Sequence, residues 1–237
     1  MNKINRIIEL TYVLRKASTA YYRDDHPIIS DKQYDDWYDE LEALEKETGV
    51  ILAGSPTQKV QGEVVDFLPK VTHSRSMLSA NKTKSLDDIK RFIGNKEVVQ
   101  SWKLDGLTVV ATFKQGKLVQ AVTRGNGTVG EDVTHTFKHC VNLPLRLSES
   151  VDITFRGECV IRWDTFNRIN ETLDDPYSHP RNLAAGTLRQ LDANIAIERQ
   201  LEYYVFDIVE GVDSGSLMED YAYTSDLGMP VVEHCIV

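Results

Sequence analysis

Three cysteines in 237 residues cannot staple a fold. Cys140, Cys159 and Cys235 leave an odd count and no C-x-x-C pair, which argues against a disulfide framework and a cysteine-rich zinc site and fits a reducing cytoplasm. No apolar run approaches the ~20 residues that span a bilayer. The N-terminal MNKINRIIELTYVLRK is amphipathic, without the apolar core and small-residue cleavage site of a signal peptide. Basic excess is missing too: 27 Lys and Arg face 36 Asp and Glu, a net charge of −9. Polyanion-binding proteins ordinarily show the opposite balance, so any nucleic-acid contact has to come from a local basic patch or a further domain. Internal repeats and low-complexity tracts are absent. At 41% hydrophobic and 27% charged, the chain has an ordinary globular composition and enough length for one large domain or two smaller ones.

The first 50 residues read as two helices. Ile4, Ile7, Ile8, Thr11, Leu14, Ala17 and Tyr21 make a helical stripe up to about Tyr22, and RDDHPI breaks it because a proline disfavours helical geometry at His26. Ser30 with Gln33 matches a capping box, and Tyr34, Trp37, Tyr38, Leu41, Leu44 and Glu45 carry a second helix to Gly49. GSPTQKV, Gly54 to Val60, reads as a linker. From about Val71 the pattern changes. LTVVATF and KLVQAVT around a KQG turn signal a hairpin, and DITFRGECVI and LEYYVFDIV add strands. WDTFNRINETL and NLAAGTLRQLD read as helices. The fold class is therefore α+β, a small N-terminal helical module over residues 1–55 followed by an antiparallel-sheet domain over 56–237.

Five stretches carry candidate chemistry. VVQSWKLDGLTVV, Val98 to Val110, places Lys103 in a strand-like apolar run, with Asp105 to orient the amine and Gly106 to bring the backbone close to a ligand. The other reading is a strand lysine lifting its amine to water. Thr123 to Asp132, TRGNGTVGED, is either a phosphate- or ribose-binding loop led by Arg124 or a glycine-rich hairpin connection. In FRGE, period-two alternation sets Glu158 on the face opposite Phe155 and Gly157, where it binds sugar hydroxyls or a metal, or simply faces solvent. Arg181 stands at a helix start with Arg189 eight residues on, a pair suited to phosphate or to surface ion pairs. Around the helical pair, Tyr21, Tyr22, Asp31, Lys32, Gln33, Tyr34 and Asp35 suit stacking on a flat heterocycle and bonding ribose hydroxyls, or plain core packing beside a cap. His135 and His139 are four apart but have no third ligand at usable spacing, so no metal site is assigned.

Taken together and in this order, these stretches, with SPTQKV, MLSANK and HPRNLAAGTLRQLD, resemble the NAD-dependent DNA ligases of bacteria over nearly the whole chain. The resemblance implies that residues 56–237 form a nucleotidyltransferase domain of the ATP-grasp-like ligase kind. It implies that Lys103 attacks the α-phosphate of NAD, expels nicotinamide mononucleotide and holds AMP. Tyr21, Tyr22 and Asp31 to Asp35 correspond to the grip on the nicotinamide half, and Ser79 and Ala80 to positions lining the adenosine. Arg124 and Glu158 correspond to ribose contacts, and Arg181 and Arg189 to phosphate-facing arginines. Mg²⁺ would assist at the phosphates, and nicked double-stranded DNA would be the partner of an intact ligase. A monomeric, cytoplasmic protein without membrane contact is expected.

The chain departs from the family pattern twice. The family has Glu-x-Lys-x-Asp-Gly where this chain has Ser101, and that glutamate reads adenine. The later Asp-Gly-Val-Val-x-Lys strand and a further lysine do not occur, so the adenylation domain is expected to be truncated. Two alternatives stand beside this reading: a non-catalytic nucleotide-binding relic, favoured by Ser101, and an ATP-dependent ligase or capping-type nucleotidyltransferase, which shares Lys-x-Asp-Gly. The N-terminal tyrosines and carboxylates count against the second, since ATP has no nicotinamide to grip.

Overall fold

The computed structural model describes residues 2–23, 29–52, 54–57, 67–77, 81–212 and 214–237. Helices α1 (Lys3–Arg23) and α2 (Asp31–Thr48) pack as an antiparallel pair. Ile7, Leu10 and Leu14 of α1 meet Leu41 of α2 and Leu52 of β1 (Ile51–Leu52), all essentially inaccessible to water. Leu10 completes an i, i+3, i+4, i+7 stripe that the sequence pattern had credited to its neighbours. Arg6 forks onto Glu40 across the pair, Nε to Oε1 at 2.8 Å and Nη2 to Oε2 at 2.7 Å. The Ser30 hydroxyl caps α2 by accepting the Gln33 N–H at 3.2 Å. Gly49 ends the helix with φ of 70°, its N–H donating to the Glu45 carbonyl.

The expected linker is packed where it is described. Ser55 is buried, and the Thr57 hydroxyl donates to Glu45 Oε2 at 2.5 Å. The Arg15 guanidinium donates to the Gly54 carbonyl at 3.2 Å, and a Cβ at Gly54 would sit 2.5 Å from the Val141 carbonyl oxygen. Residues 58–60 lie outside the described residues. A charged network also joins α1 to the larger domain. Glu202 accepts from Arg162 Nε at 2.8 Å and from the Tyr204 hydroxyl at 2.6 Å, while the Arg162 guanidinium lies 5.9 Å from the Tyr12 ring centre. Burial lowers the Arg15 pKa, and the charge of Glu202 opposes that.

The main sheet is antiparallel, with strand order β1-β7-β5-β4-β8-β9. β4 (Leu107–Lys114) and β5 (Lys117–Thr123) are the expected hairpin, turning through Gln115 and Gly116, both at positive φ. β8 (Ile153–Val160) pairs with β4 on one side and β9 (Glu202–Glu210) on the other, and β7 (Pro144–Arg146) joins β5 to β1. One face carries Val109, Ala111, Phe113, Phe155, Cys159, Tyr203 and Val205, all fully buried. Onto it pack α4 (Thr134–Phe137), α6 (Pro180–Leu188) and α7 (Ala193–Arg199), with edge-on aromatic contacts such as Phe137 to Tyr203 at 4.8 Å. The outer edge of β9 is bracketed by Asn142, whose amide donates to the Tyr203 carbonyl at 3.0 Å and accepts the Tyr203 N–H at 2.8 Å. α5 (Trp163–Asn170) ends before the ETL that the sequence pattern assigned to it, and α6 stops at Leu188, with Asp192 capping α7 separately.

Helix α3 (Leu86–Ile93) has no buried residue, and two three-residue ribbons stand off this sheet. β2 (Lys70–Thr72) pairs with β6 (Val129–Glu131), and β3 (Val99–Ser101) pairs with β10 (His234–Ile236). The sheet's second face carries half-buried Thr108, Arg156 and Glu158, and the candidate residues gather there.

Candidate functional site

Val98 to Val110 is not one strand. Its first part, β3, belongs to the ribbon with β10, while β4 begins at Leu107 in the main sheet, and Trp102 to Asp105 cross between them. Gly106 makes the crossing. A Cβ there would lie 1.9 Å from the Cys159 carbonyl oxygen, so the chain passes backbone to backbone against β8, as only glycine allows. The strand contact by itself requires the glycine. Lys103 is exposed on the crossing segment, and among the described residues its amine makes no hydrogen bond or ion pair. It is not a strand lysine reaching past apolar neighbours to water.

Glu158 anchors the site. It points from the open face of β8, opposite buried Phe155, as the alternation requires. Its Oε1 accepts the Gly106 N–H at 3.0 Å and its Oε2 accepts the Thr108 hydroxyl at 2.8 Å. Burial raises the carboxyl pKa, opposed by those two bonds and by the charges of Lys103 and Arg181. Lys103, Arg181 and Glu158 therefore share one electrostatic neighbourhood. Arg181 comes from the first turn of α6, where His179 Nδ1 accepts its N–H and Pro180 fixes the first helical position. Its Nη1 donates to Asp105 Oδ1 at 3.1 Å, so Asp105 is held by this arginine and not, as expected, by the lysine amine.

Arg189 caps the other end of α6 and pairs with Glu131 at 2.8 Å. Eight residues at ~1.5 Å each set the two arginines ~12 Å apart along the helix. Arg124 follows β5. Its N–H donates at 2.9 Å to the carbonyl of Thr108, the residue whose hydroxyl holds Glu158, and its Nε donates to the Met77 carbonyl at 3.0 Å. The glycine-rich loop is an ordered hairpin connection, with Asn126 Oδ1 accepting the N–H groups of Thr128 and Val129. The Met77 N–H in turn donates to the Gly127 carbonyl, so the loop is laced to the segment that leads to Ser79 and Ala80. Those two residues lie outside the described residues.

Ser101 ends β3, exposed and opposite His234. Near it the structure adds residues that the sequence pattern did not single out. A β-bulge in β9 sets two residues, Phe206 and Asp207, against Arg156 of β8. Arg156 Nη2 bonds Asp207 Oδ2 at 2.6 Å, and its guanidinium lies 5.4 Å from the Phe206 ring centre. Arg156 sits two residues before Glu158, so the R-x-E spacing in a strand was the available signal.

In the helical module, Tyr21 and Tyr22 fall in the last turn of α1 and Asp31 in the first of α2, with side chains outside the described residues. Lys32, Gln33 and Asp35 are exposed, and among the described residues no hydrogen bond or ion pair joins them to the Lys103 group. Tyr34 is half-buried against the module's core, its ring 6.4 Å from that of Tyr38. Among the described residues no three His, Cys, Asp or Glu side chains cluster as metal ligands, and His135 Nε2 is taken up by the Gln190 carbonyl at 2.8 Å. No helix among them is long and apolar enough to cross a membrane.

Residues 65–237 match the family model for the NAD-dependent DNA ligase adenylation domain, and residues 1–61 match that for the DNA ligase-like N-terminal NAD+-binding domain. The chain is 43% identical over 241 residues to a protein of Lachnoclostridium phytofermentans named DNA ligase, covering 99% of this chain and 37% of that protein. Proteins of the same name from Ruminiclostridium cellulolyticum and Clostridium botulinum are 41% and 36% identical, covering 88% and 99% of this chain and 32% and 38% of theirs. The chain thus spans about a third of the length of these relatives.

Proposed function

The chain belongs to the family of NAD-dependent DNA ligases, and we propose that it performs that family's first chemical step, with Lys103 as nucleophile. In that step the neutral Lys103 amine attacks the α-phosphorus of NAD. An N–P bond forms, the P–O bond to nicotinamide mononucleotide breaks, and the amine proton is lost to solvent. The product is a lysyl phosphoramidate of AMP, ready for transfer to a 5′-phosphate at a DNA nick in a full ligase. One observation carries the reading: an exposed lysine on a segment fixed by Gly106, beside the buried end of Glu158 and the Arg181–Asp105 pair.

The roles follow the chemistry of the groups. Glu158, with two acceptor oxygens already oriented, takes ribose hydroxyls alongside Arg124. Arg181 and Arg189 meet phosphate charge. Ser79, Ala80 and Ser101 border the adenosine. Residues 1–55 supply the nicotinamide grip through Tyr21, Tyr22 and Asp31 to Asp35, and residues 56–237 the nucleotidyltransferase domain. Their separate hydrophobic clusters support that division. Mg²⁺, when bound, would meet Asp105 and Glu158 as the available carboxylates and would supply counter-charge at the dinucleotide's phosphates. DNA contact falls to regions beyond this acidic chain. Free Cys140, Cys159 and Cys235 accord with a reducing cytoplasm, where the chain would act as a monomer.

Calorimetry with NAD and with ATP tests the donor. NAD should bind more tightly than ATP, and Tyr22→Ala or Asp35→Ala should weaken NAD about tenfold while leaving AMP unaffected. Equal affinity for ATP, insensitive to both changes, overturns the reading.

A further inference from the structure

The face of the sheet that carries Glu158 also carries a buried charged group to which the adenylation chemistry gives no role. Glu158 pairs across the sheet with Tyr204, and Val160 with Glu202, so Tyr204 and Glu202 share the face of Glu158. Glu202 stands two residues from Tyr204 along β9, ~6.5–7 Å away. Its side chain is only 9% exposed. A carboxylate withdrawn from water in this way needs several donors to offset its lost hydration. Here they are Arg162 Nε at 2.8 Å and the Tyr204 hydroxyl at 2.6 Å, and Arg162 Nη2 closes the triangle on that hydroxyl at 3.3 Å. Burial, and then the charge of Glu202, push the Tyr204 pKa up, so the hydroxyl keeps its proton as a donor.

The helical module meets this group through one face of α1. The Arg162 guanidinium lies 5.9 Å from the Tyr12 ring centre, and the charge of Glu202 acts on Arg15, three residues further along the same face. From Tyr12 the helix runs on to Tyr21 and Tyr22, ~13–15 Å away at ~1.5 Å per residue. A tilt at the anchor is therefore magnified at the tyrosine end, and a displacement of ~1 Å at a binding group can cost ~10²-fold. We propose that Glu202 is a positioning residue for the nicotinamide half of NAD, seating α1 beside Glu158 so that the helix presents its tyrosine end to the dinucleotide at a fixed angle. A purely apolar seam would let the module settle at several angles, whereas a buried carboxylate held by directed bonds selects one. The assignment rests on the reading of residues 1–55 as the nicotinamide grip.

Calorimetry with NAD, nicotinamide mononucleotide and AMP tests it. Glu202→Gln keeps the shape but removes the charge that holds Arg162. It should weaken NAD and nicotinamide mononucleotide by about tenfold or more, and AMP by less than about threefold. Tyr12→Ala, at a position 46% exposed, should weaken the same two ligands about two- to fivefold. It reads the contact from the module's side should Glu202→Gln fail to fold, which thermal unfolding reports. Parallel loss of all three ligands would leave Glu202 a role in the fold alone and overturns the proposal. So does unchanged or tighter binding of nicotinamide mononucleotide by either folded variant, and in both cases the adenylation reading stands. A wild-type protein that binds AMP but neither NAD nor nicotinamide mononucleotide overturns the nicotinamide grip itself, and this proposal with it.

Discussion

Replacing Gly106 by alanine tests whether the Lys103 segment is held by its backbone. The added Cβ would lie 1.9 Å from the Cys159 carbonyl oxygen and 2.9 Å from both its carbonyl carbon and Val160 Cγ1. The oxygen belongs to the backbone of a paired strand and cannot rotate aside, so β4 and β8 must separate at this end. Overpacking of this kind costs ~1–3 kcal/mol. The separation also breaks the 3.0 Å bond from the Gly106 N–H to Glu158, and a bond to a charged group contributes ~1.5–3 kcal/mol. Together these come to about 2.5–6 kcal/mol, which in a protein of this size lowers the melting temperature by on the order of 10 °C. NAD affinity should fall as well, since Glu158 loses its orientation. Circular-dichroism melting and calorimetry on the same sample give both values. An unchanged midpoint with wild-type NAD binding would refute the close approach as the element that fixes the site.

Glu158 makes stability depend on pH. Because burial raises its folded pKa, between the ordinary carboxylate value and the folded one the native protein keeps a proton the unfolded chain has released. Stability therefore falls as pH rises through that window, and Asp207 acts in the same sense. Glu158→Gln should flatten the profile from about pH 4 upward while weakening NAD binding; urea unfolding at a series of pH values reads it, and a profile identical to wild type would count against the burial argument. Asn142→Ala leaves the N–H and carbonyl of Tyr203 unpaired on the outer edge of β9. It should cost ~2–4 kcal/mol in denaturant unfolding, and a negligible loss would show that water replaces the amide.

The elements legible in the sequence are those whose pattern is local. The paired helices, the β4–β5 hairpin and strands β8 and β9 all follow from periodicity and turn residues within one segment. The β3–β10 and β2–β6 ribbons are three-residue pairings between distant stretches, and nothing within either stretch announces its partner. This is why Lys103 reads as part of a strand: valines flank the crossing on both sides, and only the contact of Gly106 with Cys159 reveals the break. The face on which Glu158 lies was legible because period-two alternation fixes it. Phe206 and Asp207 were hidden because a bulge interrupts that alternation. The partner of Asp105 was misassigned because Arg181 lies 76 residues away in the chain.

The central claim is that Lys103 carries the adenylate, and peptide mapping by mass spectrometry after incubation with NAD and Mg²⁺ tests it most directly. One AMP should appear on the peptide containing Lys103, with release of nicotinamide mononucleotide. Lys103→Arg should carry none, because arginine keeps the charge but offers no free amine. AMP on any other residue, or label persisting in the Lys103→Arg protein, would contradict the account.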